Sequence, residues 1–215
     1  MSADSAPTTA LLGFGDFGTH LVDLLAARFP GAARTVAPSD VDEVFGAGAR
    51  SRTSCLVVAL WRPAPAFCER VDGLAHAAGV PWLLVSDEHP ALLIGPYVAP
   101  GAGPCFRCYS DRRVQHDTHR EDTRAVYDAY DKDPEFGPSG HLPSHVRITA
   151  AIAHGIVSRP AGHVGRVTGV DKRNLALSRH PVVSRHGCHR CGAPPPPRDR
   201  LASLLGVRDL ESTRV

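Results

Sequence analysis

Residues 8–18, TTALLGFGDFG, run from a short apolar stretch into three glycines, Gly13, Gly15 and Gly18, spaced G-x-G-x-x-G. The next stretch, THLVDLLAARF, sets Leu21, Leu24, Leu25 and Phe29 at helical spacing and closes on Pro30-Gly31. Strand, glycine turn and helix together form the context in which this spacing carries meaning. Glycine permits the tight turn, and bare N–H groups at the helix start can receive a phosphate. The stretch predicts the opening unit of a Rossmann-like fold, with Gly13, Gly15 and Gly18 as candidate nucleotide-binding residues. Asp40 lies 22 positions after Gly18, near where an acidic residue would hold a ribose. Its alternative role is to cap, with Ser39, a short helix in SDVDEVFGAG.

Further along, the same alternation repeats. ARTVA is a weak second strand, and CLVVALW (55–61), VPWLLVS (80–86) and ALLIGPYV (91–98) are apolar runs of strand length. PAFCERVDGLAHAA (65–78) is an amphipathic helix stopped by Gly79. The expected class is α/β: a Rossmann-like, mostly parallel sheet with helices on both faces. Residues 110–143 then carry many charges, several His, and Pro134, Pro138 and Pro143, with little apolar periodicity. They read as a charged crossover loop, either mobile or ordered by a partner. Helical order resumes in SHVRITAAIAHGIVS. HVGRVTGVDKRNLALSRHPVV reads as a C-terminal hairpin in which Leu175 and Leu177 answer Val164, Val167 and Val170. The implied organisation is a disordered N-terminus (1–8), one domain (9–192) and a Pro-rich flexible tail (193–215) containing GAPPPPRDR.

Composition narrows the function classes. The net charge of +2 gives no reason to expect nucleic-acid binding, although the 12 histidines make the chain more cationic below about pH 6.5. No apolar run approaches the roughly 20 residues that span a bilayer, and the first residues lack a basic signal-peptide region. A cytoplasmic chain with no membrane partner is expected. In that setting six cysteines point to metal ligands or core residues before disulfides.

Four of those cysteines form two Cys-x-x-Cys pairs. Cys105 and Cys108 lie in GPYVAPGAGPCFRCYSDRR (95–113), and Cys188 and Cys191 in CHRC, with 79 residues between the pairs. A thioredoxin-type site needs such a pair to open a helix after a strand, and the sequence predicts no helix after either one. Gly103-Pro104 precedes the first pair, and Gly187 and Gly192 bracket the second. Two such knuckles suit one tetrahedral four-cysteine site holding a structural Zn2+, closed to substrate, that ties the C-terminal knuckle to the loop after the last sheet strand. His189 is a weaker ligand candidate, and Cys55 and Cys68 read as core residues. Arg107, Arg112 and Arg113 cluster beside the first knuckle and could hold an anion or an acidic peptide; a solvated face is the alternative. Ser86, Asp87, Glu88 and His89 follow a strand end, where open α/β sheets gather ligands, or else form a polar turn. No catalytic constellation is evident.

The glycine turn, IGPYVAPGAGPCFRC, the hairpin and CHRCG together resemble the E1-like superfamily of ThiF and MoeB type. There, paired knuckles hold one zinc below an adenylating Rossmann domain. The resemblance spans most of residues 10–192. Such enzymes usually carry G-x-G-G-x-G, a D-x-D strand-2 end and an N-L-x-R-Q segment. Here the turn is GFGDFG, strand 2 runs into TVAPSD, and no N-L-x-R-Q follows. The charges that clamp ATP are missing, and a phosphate away from water needs such cations or a metal. Within the superfamily the chain is most similar to ThiF-like partner proteins of azoline-forming YcaO cyclodehydratases in ribosomal peptide maturation. That resemblance implies an accessory protein that binds a precursor peptide and a YcaO-type enzyme, keeps zinc, leaves ATP chemistry to its partner, and forms a homodimer. The first strand begins near residue 9, so the winged-helix recognition element of many members is not expected. Two other classes remain open: an ATP-dependent adenylating enzyme acting on a carboxylate, and a zinc-stapled NAD(P)-dependent oxidoreductase.

Overall fold

Strand β1 (Thr8–Phe14) turns directly into helix α1 (Gly15–Arg28), and the turn is made by Gly15 at φ +63°. The other two glycines of the motif are required by close packing. A Cβ on Gly13 would lie 2.6 Å from the Gly18 carbonyl oxygen, and one on Gly18 would lie 2.5 Å from that of Ala59. Helix α1 therefore rests backbone-to-backbone on the sheet, which only glycine allows.

This computed structural model describes residues 7–30, 33–133, 135–138 and 140–192. The expected disorder over 1–8, apart from residues 7 and 8, and the Pro-rich tail over 193–215 lie outside them. After α1 come β2 (Ala33–Thr35), a 3₁₀ turn (Pro38–Asp40), α2 (Val41–Val44), α3 (Ala49–Arg52), β3 (Thr53–Leu60), α4 (Pro65–Ala78) and β4 (Trp82–Asp87). Strand β5 (Ala91–Val98), helices α5 (Phe106–Gln115), α6 (Arg120–Lys132) and α7 (Pro143–Ser158), and strands β6 (Arg166–Asp171) and β7 (Leu177–Pro181) complete the described chain.

All seven strands form one sheet in the order β2-β1-β3-β4-β5-β6-β7. Strands β2, β1, β3 and β4 are parallel, as the alternation predicts, whereas β4 to β7 pair antiparallel. The sheet is therefore mixed. Residues 88–90 are the whole connection between β4 and β5, far too short for the crossover that a parallel neighbour needs. Buried side chains alternate between the two faces. Leu11, Val57 and Val85 pack with Leu21 and Leu25 of α1 and Val146 of α7, while Leu12, Val58 and Trp82 pack with Val71 of α4 and Phe106 of α5. Cys55 and Cys68 are core residues as expected, and burial pushes the Cys55 thiol up to about 12 and raises Cys68 as well.

Three expectations need correction. The segment read as a charged loop over 110–143 contains the end of α5, all of α6 and the start of α7. Helix α6 has no fully buried residue, and its Thr123, Tyr127 and Tyr130 are half-buried beside the cleft. It is held from outside, by buried Arg62, whose guanidinium donates to the carbonyls of Tyr130 (2.9 Å) and Asp133 (3.1 Å) and lies 4.5 Å above the Tyr130 ring. The hairpin forms with Leu177 opposite Val170, but Leu175 and Leu177 are 42% and 57% exposed, so neither leucine joins the core and Leu175 pairs with no valine. Asp40 ends a 3₁₀ turn, makes no side-chain cap bond, and accepts the Ser39 hydroxyl at 2.6 Å.

Gly18→Ala tests the packing. In an exposed helix this change stabilises by roughly 0.5–1 kcal/mol. Here the 2.5 Å approach to the Ala59 carbonyl reverses the sign, and a loss of about 1–3 kcal/mol is expected in urea denaturation. A neutral or stabilising result would contradict this packing.

Candidate metal centre and strand-end cleft

Cys105 is the N-cap of α5 and Cys108 lies in its first turn. The first pair thus does open a helix, contrary to expectation, as a redox dithiol would. The other pair decides between the readings. Cys188 and Cys191 sit between Gly187 (φ +67°) and Gly192 (φ +59°), which turn the chain back onto α5. All four sulfurs lie within 4.8 Å of one another. Cys105 Sγ is 3.8 Å from Cys108 and 3.7 Å from Cys188, and Cys108 is 3.6 Å from Cys191. A disulfide would bring two sulfurs to about 2.05 Å. Four thiolates at about 2.3 Å from a zinc ion stand about 3.8 Å apart at the corners of a tetrahedron. The cluster therefore fits one four-coordinate zinc. His189 is exposed and outside it.

The surroundings are those of ligating thiolates. The Arg185 N–H donates to Cys108 Sγ at 3.1 Å. Burial raises Cys105, and raises Cys108 to about 11. Burial also opposes the Cys188 thiolate, but the N–H groups of Cys191 and Arg190 and the neighbouring thiols outweigh it and hold Cys188 at about 7.

One buried carboxylate joins this centre to the sheet. Asp72 of α4 has no exposed surface. Its Oδ1 accepts the Phe106 N–H at the start of α5 (3.1 Å) and the Trp82 indole N–H of β4 (3.3 Å). Its Oδ2 accepts Arg190 Nη1 at 2.9 Å, from between the last two cysteines. Arg190 also pairs with Glu69 at 2.7 Å. Sequence reasoning passed over Asp72; the available signal was an acid flanked by Val71 and Ala75 on a helix face that otherwise faces the core.

The three arginines do not converge. Arg112 donates to the carbonyls of Val183 and Ser184, both at 3.2 Å, and so tethers the segment leading to the second knuckle. Arg113 forms a bidentate pair with Glu88 at 2.6 and 3.0 Å. Arg107 is half-buried and shares in neither contact.

Arg113 and Glu88 belong to a cleft of about 650 Å³ at the carboxyl ends of β3 and β4. Ser86, Asp87, Glu88 and His89 all line it, as the strand-end argument anticipated. Leu60, Leu84 and Cys68 line it from the sheet and α4, and Tyr109, Tyr127 and Tyr130 from α5 and α6. Asp87 is held by Lys172 at 2.6 Å.

The glycine turn does not line this cleft. Trp61, which follows β3, packs beside the turn: a Cβ on Gly15 would fall 2.5 Å from the indole, although Gly15 itself is exposed. Gly137 packs in turn on Trp61 and Arg62, and His141 bonds His20 of α1 at 2.9 Å. Asp40 is exposed and also outside the cleft. The residues expected to form a nucleotide site therefore do not line this cleft.

Removing a ligand and removing the Asp72 link should have different signatures. Cys188→Ser is expected to release the metal and lower Tm by about 10 °C or more, because four thiolates bind as a unit. Full metal content with an unchanged Tm would refute the centre. Asp72→Ala should cost about 1–3 kcal/mol for each buried donor it leaves unpaired, the Phe106 N–H and the Trp82 indole, while Arg190 keeps Glu69 and metal content at saturating zinc stays near one per chain.

No protein-family model matches the sequence, and no curated protein sequence matches it significantly. Solved structures match in fold. The heterocyclase TruD gives a TM-score of 0.60 over 87% of this chain at 20% identity. The match covers 28% of that protein, so this chain spans under a third of its length. The E. coli microcin synthetase McbBCD complex gives 0.62 at 10% identity, over 87% of this chain and 69% of that one. E. coli MccB with succinimide gives 0.58 at 14%, over 88% and 67% respectively. At these identities the likeness is one of fold, and it is the likeness implied by the glycine turn and the paired knuckles: this chain shares its fold with heterocyclase and microcin-synthetase proteins.

Proposed function

We propose that this chain is an accessory E1-like scaffold in the maturation of ribosomally made peptides. It binds a precursor peptide, a YcaO-type cyclodehydratase, or both, and zinc at Cys105, Cys108, Cys188 and Cys191 is structural. The observation that carries this reading is the four-cysteine cluster, kept beside a glycine turn in which Gly13 and Gly18 serve the close packing of α1 on the sheet. The cations nearest the strand ends are likewise committed: Arg62 to helix carbonyls, Arg113 to Glu88 and Lys172 to Asp87. A triphosphate would have to displace these partners before any cation could offset its charge. Support from the fold neighbours lies in their own descriptions, which include a heterocyclase with substrate and cofactor and MccB with MccA.

The cleft favours a second reading, an adenylating enzyme that places a carboxylate and ATP beside Asp87 and Lys172. ATP–pyrophosphate exchange with a peptide substrate separates the two, since the scaffold should show none. A ligand at a hundred times its Kd adds about 2.7 kcal/mol of stability. The scaffold reading therefore expects no rise in Tm with ATP or NADPH, together with capture of a YcaO-type enzyme or precursor peptide without ATP turnover. No described residue of 114–138 is buried. Deleting that segment should leave the metal centre and fold in place while weakening partner binding, measured by pull-down, and unchanged binding would remove the segment from the interface.

A further inference from the structure

Charge is unevenly spread along this chain. Residues 143–192 contain eight Lys and Arg and a single acid, Asp171, for a net +7 in a chain whose total is +2. Four of those cations are paired: Lys172 with Asp87, Arg173 with Asp171, Arg185 with Asp111, and Arg190 with Asp72 and Glu69. Arg159, Arg166 and Arg179 are exposed and form no ion pair among the described residues. Each is near enough to half-buried His163 that, after burial, the positive charges of Arg179, Arg166 and Arg159 draw it below the usual histidine range.

These arginines flank an open strand. Among the described residues β7 has no neighbour beyond β6, and all five of its residues are exposed. The Asp171 N–H donates to the Ala176 carbonyl and the Val182 N–H to the Gly165 carbonyl, in a register that pairs Gly169 with Ser178 and Val167 with His180. Antiparallel alternation then turns Ser178 and His180 toward β6 and leaves the N–H and C=O of Leu177 and Arg179 pointing out of the sheet. Pro181 has no N–H and ends that row. Thr168 faces Arg179 and Arg166 faces Pro181, so the two arginine side chains share one face of the sheet.

We propose that the β7 edge is a docking strand for an acidic, extended peptide segment. The segment adds to the sheet through main-chain hydrogen bonds to Leu177 and Arg179. Its alternate Asp or Glu side chains, which a strand places on one face, lie over Arg159, Arg166 and Arg179. A second copy of this chain is a poor occupant, since two-fold edge pairing would set the same arginines against each other. This surface stands on its own observations and does not depend on a role in peptide maturation.

The test uses the full chain and a fluorescein-labelled eight-residue peptide of alternating Glu and Val, followed by anisotropy. Binding is expected that weakens as salt is raised, and a Lys–Val counterpart should not bind. Methylating alternate backbone nitrogens of the Glu–Val peptide should abolish binding. The double variant Arg166→Glu, Arg179→Glu should weaken binding roughly tenfold or more, because exposed charge pairs are worth about 0.2–1 kcal/mol each and reversal turns attraction into repulsion. Both positions are exposed, so Tm and metal content should not change in that variant. The proposal is overturned if Lys–Val binds equally, if the methylated peptide binds as well as the parent, or if the double variant binds undiminished. It is also overturned if the wild-type chain sediments as a dimer that the double variant dissolves, or if a single-stranded RNA 20-mer displaces the peptide at lower concentration.

Discussion

Two cysteines near the middle of the chain and two near its end must meet at one point, and much of the architecture follows from that constraint. Cys105 is both a member of the cluster and the N-cap of α5, so positioning the sulfurs positions the helix. Tyr109 and Arg113 of α5 are thereby carried to the strand-end cleft, and Arg112 to the carbonyls of Val183 and Ser184. Asp72 adds direction. By holding the first N–H of α5, the Trp82 indole and Arg190 at once, it keeps the knuckle from pivoting on the sheet. A buried carboxylate is costly unless each oxygen is satisfied, and these three donors satisfy both.

The glycine turn shows how one motif serves two physical ends. Its spacing suits a phosphate, and the same glycines let α1 lie directly on β1 and β3. Here the packing role is fully expressed: a Cβ on Gly18 or Gly13 would come within 2.5 or 2.6 Å of a backbone carbonyl oxygen, and Trp61 packs beside Gly15. The nearby cations already face carboxylates or helix carbonyls. What remains at the strand ends is a tyrosine-lined cleft in which Asp87 and Glu88 are paired with Lys172 and Arg113, and Asp117 and Asp122 add further acids.

Charge is concentrated in the α7–hairpin region. It has one acid and, among the described residues, keeps Arg159, Arg166 and Arg179 without an ion pair beside a sheet edge that no described strand covers. Unpaired surface cations contribute little to folding stability, so their concentration at a strand with free main-chain groups bears on association.

The parallel core was legible because β1, β3 and β4 are continuous apolar runs and α1 and α4 repeat at helical spacing. The four cysteines were legible because their pairing and flanking glycines are local. Helix α6 was not, since it has no fully buried residue and its C-terminal carbonyls are bound by Arg62, 58 positions before its first residue. Asp72 escaped notice because one acid in an apolar stripe has no meaning until its donors arrive from three other elements. By itself, then, the sequence determined the strands, the glycine turn and the ligand set, which depend on short-range periodicity and residue chemistry. Only the tertiary structure decided that β5 runs antiparallel, that Trp61 packs beside the glycine turn, that the three arginines beside the knuckle part company, and that Arg166 and Arg179 share one face at the sheet edge. Those outcomes depend on which distant segments share space, and no local pattern encodes that.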